Sequence, residues 1–68
     1  MKMVATDSTC VSRLGWENDE LVIEFPSGTM YKYFGVDYST FLEFLADRSK
    51  GRYFAKHIRD DYDSHKCT

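Results

Sequence analysis

The side chains in this sequence best suited to chemistry are cations. Arg48, Lys50, Arg52, Lys56 and Arg59 fall within twelve residues that contain no acid. Ser49-Lys50-Gly51-Arg52 opens a candidate helix, so its first backbone N–H groups and their partial positive charge would lie beside full charges. Such an edge holds a phosphate or a carboxylate, and the expected binding residues are Ser49, Lys50, Gly51, Arg52, Lys56 and Arg59. The competing reading is plainer: Ser49 caps, Gly51 turns the chain, and the cations are a solvated face balanced by Asp60, Asp61 and Asp63.

A second constellation is aromatic. Trp16, Tyr31 and Tyr33, with Arg13 and Lys32 as cationic neighbours, could form a stacking surface for unpaired bases on an open sheet face. Alternatively the tyrosines pack beneath helices with their hydroxyls at the edge. Cys10, His57 and Asp60 have the residue types of a nucleophilic site, yet no spacing joins Cys10 to His57. His57, His65 and Cys67 match no closed zinc pattern. The sequence therefore implies no catalytic residue, no metal and no cofactor, and a binding module in preference to an enzyme.

Length and composition point the same way. A chain of 68 residues forms one domain and buries only roughly 60% of its unfolded surface, which leaves little room to enclose a substrate. Aromatic residues make up 16% of the sequence, and each removes about 150–250 Å² from water, so they serve the core first. The net charge of -2 opposes a general attraction to nucleic acid. Cys10 and Cys67 are too few and too far apart for a disulfide framework and read as reduced thiols. With no apolar run of membrane length and no signal-like start, the expected compartment is the cytoplasm.

The elements that would position these groups follow from periodicity. Thr9 to Trp16 suggests a strand in which Val11 and Leu14 break alternation, as a bulge near Gly15 would allow. Glu17-Asn18-Asp19-Glu20 is a polar turn, and Leu21, Ile23 and Phe25 alternate with outward Glu20 and Glu24. Pro26-Ser27-Gly28 supplies a three-residue hairpin loop leading into Thr29–Phe34. Asp37 caps a helix whose apolar face is Tyr38, Phe41, Leu42 and Leu45, widened by Phe44. Ser49-Lys50-Gly51 ends it, with Gly51 at positive φ, and Phe54, Ala55, Ile58 and Tyr62 mark a second short helix. The expected fold is α+β: a three-stranded antiparallel meander followed by two helices on one face (βββαα). Its ordered core spans about 9–62 of the single domain 1–68, and both ends are polar, unpatterned and expected to be loose.

The order of these features resembles the KTSC domain family. The resemblance rests on Ser8-Thr9-Cys10, Leu14-Gly15-Trp16, Leu21-x-Ile23-x-Phe25, Gly28, Tyr31-Lys32-Tyr33, Ser49-x-Gly51-x-Tyr53-Phe54, Ile58-Arg59 and Tyr62, over about residues 4–62. Trp16 stands where the family pattern has Tyr, and Val36-Asp37 where it often has Val-Pro. The family comprises short domains found alone in bacterial and phage proteomes or at the C-terminus of some lysyl-tRNA synthetases. That setting implies RNA as one partner, and the phage setting an inhibitor of a bacterial enzyme or defence complex. The acidic pI near 5.5 favours a protein partner bound through the basic helix edge and an exposed sheet surface. A meander has edges that can also pair with another copy, so both a monomer and a small homo-oligomer are open.

Overall fold

The computed structural model describes residues 1–67, and alternation on the strands is what organises it. Five antiparallel strands lie in sequence order: β1 (Met3–Ala5), β2 (Arg13–Glu17), β3 (Glu20–Glu24), β4 (Met30–Phe34) and β5 (Ser64–Lys66). The segments set aside as unpatterned therefore pair as edge strands, giving five strands where the sequence suggested three. Their short length and polar composition hid them, since three residues cannot display a period.

The register sorts side chains cleanly, because directly paired residues share a face. One face carries the rows Val4–Leu14–Ile23–Tyr31–Lys66 and Trp16–Leu21–Tyr33–Ser64. Its central members Leu14, Leu21, Ile23 and Tyr33 join Val11, Val36, Phe41, Phe44, Tyr53 and Ile58 in one buried cluster. The opposite face carries Ala5–Arg13–Glu24–Met30, Met3–Gly15–Val22–Lys32–His65 and Glu17–Glu20–Phe34. Gly15 sits in a regular ladder with no bulge: Val11 precedes the strand, and this is why the Val11–Leu14 spacing breaks alternation. What Gly15 supplies is room, since a β-carbon there would run into the Met3 thioether and lie 2.9 Å from the Met1 sulfur.

Both hairpins follow from turn chemistry. Asn18 and Asp19 both take positive φ, 52° and 63°, the requirement of a two-residue type I′ turn that short polar side chains tolerate. At the other end, the Gly28 N–H donates to the Phe25 carbonyl and the Phe25 N–H to the Thr29 carbonyl, both at 2.9 Å, which closes the three-residue loop with Gly28 at φ 92°. Gly35, at φ 78°, then turns the chain from β4 towards the helices.

Helix α1 (Tyr38–Ala46) starts at Asp37, whose carboxylate accepts from the Thr40 N–H at 3.1 Å and hydroxyl at 2.6 Å. It ends at Asp47, in extended conformation, so Gly51 is not its terminator. Gly51 lies inside α2 (Lys50–Tyr53) without positive φ, and a β-carbon on it would come within 2.9 Å of Cys10 Sγ. The glycine thus lets the loop before β2 approach the helix backbone. A π-helical turn, Phe54–Ile58, continues α2, with the Arg59 N–H donating to the Phe54 carbonyl five residues back. The wider turn buries Tyr53 and Ile58, five residues apart, and leaves Ala55 exposed, against the 3.6-residue expectation. No helix of the described residues is long and apolar enough to cross a membrane.

Gly28→Ala is expected to cost about 1–2 kcal/mol, the penalty of a β-carbon in the left-handed region. Urea unfolding checks it, and an unchanged midpoint would mean that the loop is free to adopt another turn.

Candidate functional site

The basic segment begins in a set of local hydrogen bonds. The Asp47 carboxylate accepts from the Ser49 N–H at 2.8 Å, Ser49 Oγ accepts from the Arg52 N–H at 3.4 Å, and Lys50 Nζ donates to the Asp47 carbonyl. Ser49 therefore caps, as expected from sequence, but α2 is a single turn with little dipole of its own to offer an anion. What it does offer is side-chain charge. Arg48, Arg52 and Lys56 are exposed, and none of them has a carboxylate within ion-pair distance among the described residues. Arg59 lies 3.8 Å from Asp60, with both side chains largely in solvent. Of the trailing acids, Asp60 alone engages a member of the cluster.

Of the lysines and arginines elsewhere, Lys2 and Lys66 are likewise exposed and unpaired among the described residues, but two on the central strands are paired. Arg13 meets Glu24 through two bonds, 2.5 and 3.0 Å, and Lys32 lies 3.2 Å from Glu20. The Arg13 guanidinium holds the Glu24 carboxyl below its ordinary range. Both pairs lie on the sheet face away from the helices, whereas Trp16, Tyr31 and Tyr33 lie on the face the helices cover. The five residues of the candidate aromatic surface are thus divided between opposite sides of the sheet. Tyr33 is 5% exposed, with its ring 5.8 Å from Phe54, and burial raises its phenol. The indole of Trp16 donates to the Val36 carbonyl at 2.8 Å, and its ring is 5.0 Å from Tyr38. The tyrosines pack under the helices, the alternative that the sequence left open.

Tyr53 ties the basic segment to the core. Its ring stacks on Phe44 at 5.1 Å and 14°, its hydroxyl donates to Glu43 at 3.0 Å, and the His57 ring lies 4.7 Å away on the helix side. Burial, then the bond to the Glu43 carboxylate, pushes its phenol up to about 12. His57 is thereby packed on Tyr53, while Cys10 lies against Gly51, so these two residues are placed by different contacts. Among the described residues no three His, Cys, Asp or Glu side chains gather as a metal site.

Around Cys10 the chain folds on its own hydroxyls. Ser8 Oγ accepts from the N–H groups of Cys10 at 2.9 Å and Val11 at 3.3 Å, and the Thr6 hydroxyl donates to the Val11 carbonyl. This loop forms one wall of an open cleft of about 460 Å³. Ala5 to Ser8 face Leu45 to Arg48 and Lys50 across it. Sequence reasoning missed the cleft because its two walls are some forty residues apart, although Asp47 two residues before Ser49 was a readable turn signal.

The profile of the KTSC domain matches residues 7–62. The chain belongs to the KTSC domain family. A KTSC domain protein from Yersinia pestis, known from a crystal structure, superposes with a TM-score of 0.92 at 26% identity, covering 98% of this chain and 97% of that one. No curated protein matches the sequence. In this KTSC domain Ser8-Thr9-Cys10 and Ser49-x-Gly51-x-Tyr53 come together in space, joined at the Cys10–Gly51 contact.

Because the folded phenol of Tyr53 titrates above the ordinary value of about 10, folding favours its neutral form. The stability it contributes is complete below pH 10 and is lost as pH climbs towards 12. Tyr53→Phe is expected to flatten that alkaline decline and to remove the last step of the tyrosinate absorbance titration. An identical titration in the variant would place the shifted phenol elsewhere.

Proposed function

We propose that this KTSC domain is a non-catalytic binding module whose segment Arg48–Arg59 receives the acidic surface of a protein partner. The observation that carries this reading is a run of neighbouring cations on one segment that no carboxylate pairs among the described residues, where the other unpaired lysines, Lys2 and Lys66, stand singly on edge strands or beside them. Arg13 and Lys32 are matched to carboxylates on the sheet, while Arg48, Arg52 and Lys56 are held in water without one among the described residues. Evenly matched surface charge is the ordinary way to keep a domain soluble, and a cluster of one sign on a net-acidic chain raises the local concentration of acidic groups. Tyr53 supports the same reading, since its stack on Phe44 fixes the segment to the core and lowers the ordering cost of binding. A partner of mixed charge fits better than a long polyanion because the net charge of -2 repels the latter at a distance. The placement of Tyr31 and Tyr33 beneath the helices also favours this reading, since they do not form the open-face stacking surface expected for single-stranded RNA.

Reversing two exposed charges, Arg52→Glu with Lys56→Glu, should leave folding intact and lower affinity for an acidic peptide by about tenfold, at roughly 0.5–1 kcal/mol per charge. Fluorescence anisotropy with a glutamate-rich peptide and a single-stranded RNA, each at two salt concentrations, reads both ligands. Peptide binding that ignores the reversals would remove the proposal. RNA binding with a steep log-linear salt dependence would replace it with phosphate recognition.

A further inference from the structure

Helix α1 carries an apolar stripe that the fold leaves uncovered. Tyr38 is 52% exposed and Leu42 43%, although both belong to the apolar face read from sequence. Ala46, one turn further, is also exposed, and the half-buried ring of Trp16 flanks the stripe at 5.0 Å from Tyr38. The two ends of the stripe differ in charge. At its start lie the exposed Asp37 and Asp19, the latter brought there by the bond from the Val36 N–H to the Asp19 carbonyl. Past its end lie Arg48 and Lys50 together with the exposed Asp47, so that end carries one net positive charge against two negative ones at the start.

We propose that this stripe is the contact between two copies of the chain, their α1 helices crossing antiparallel about a two-fold axis at Leu42. Such an axis stacks Leu42 on its own copy. Tyr38 and Ala46 each stand four residues from Leu42, so the axis sets the large ring of one protomer on the small side chain of the other. It also brings the Asp37 end of each helix to the Arg48 and Lys50 end of its partner. A two-fold contact requires a surface that complements itself, and this stripe does so in both size and charge. An unrelated partner would need an apolar centre flanked by a basic end and an acidic end, which a second copy already has. Three side chains cover far less than the roughly 800 Å² per partner of a standard interface, so the dimer is weak and forms at high concentration. Arg48 belongs to both surfaces, so Leu42→Glu, which touches only the stripe, and Arg52→Glu with Lys56→Glu, which touches only the acidic-partner segment, keep the two tests separate.

Sedimentation equilibrium of the full chain from about 10 μM to about 1 mM, where small interfaces titrate, reads the association directly. The apparent mass is expected to rise towards that of a dimer, and Leu42→Glu, at an already exposed position, to hold it at the monomer. Arg48→Glu and Asp37→Asn should each weaken association several-fold. Asparagine caps a helix as well as aspartate does, so a loss in Asp37→Asn reports the charge and not the fold. Amide shifts that change on dilution should map to Tyr38–Ala46 and not to Met3–Ala5. A wild-type chain that stays monomeric throughout, or a Leu42→Glu variant that associates as the wild type does, overturns the proposal.

Discussion

Phe44 and Tyr53 lie ring on ring between α1 and the segment that follows it, and the exposed charge of this domain is placed by that stack. Phe44 is fully buried and Tyr53 nearly so, and each ring removes about 150–250 Å² from water in a chain with little core to spare. With Tyr53 fixed by Phe44 on one side and Glu43 at its hydroxyl, the backbone around it has one orientation. Arg52 then projects from the neighbouring position into solvent, and Lys56 follows on the π-helical turn. The core and the charged edge are consequently two aspects of one short segment.

The two faces of the sheet divide the remaining work. The helix-covered face takes nearly all the large apolar side chains, while the other is closed by Met3 over Gly15, a buried Val22, and ion pairs between neighbouring strands. Those pairs suit an uncovered sheet, because cross-strand charges of opposite sign stabilise the ladder and leave no net field. On the helical side Arg48, Arg52 and Lys56 have no such partner among the described residues, and Arg59 has only the exposed Asp60.

Much of this was legible in the residues. Leu21, Ile23, the Pro26-Ser27-Gly28 loop, the Asp37 cap and the motif order of the family all read directly, since each has a local signature. The failures share a physical origin in contacts between distant parts of the chain. Gly51 looked like a helix terminator, yet its small size serves Cys10, forty-one residues earlier. Ala55 helped to mark the second helix with Phe54, Ile58 and Tyr62, yet on the π-helical turn it is exposed. Tyr38 and Leu42 fit an apolar face by spacing, but the fold leaves both exposed while Phe41 and Phe44 of the same helix are buried. Of the basic segment, the residue types were visible in advance. Which of the cations would find an acid was not, because that depends on strand register and on where the chain returns after Asp60.

The order of strands carries a further consequence. Each pair of sheet neighbours up to β4 is joined through a short connection, whereas β4 and β5 are separated by both helices, residues 35–63. Closing that long loop costs the most chain entropy and yields a ladder of only three paired positions, Tyr31–Lys66, Lys32–His65 and Tyr33–Ser64. Local opening of this last strand therefore returns the most loop entropy, against the three paired positions and the flanking bonds from the Phe34 N–H to the Asp63 carbonyl and from the Cys67 N–H to the Met30 carbonyl. Its departure uncovers the hydrogen-bonding edge of β4, a vacancy that the same strand of a neighbouring molecule fits equally well, so exchange of this tail between chains is the misassembly to which the topology is most exposed.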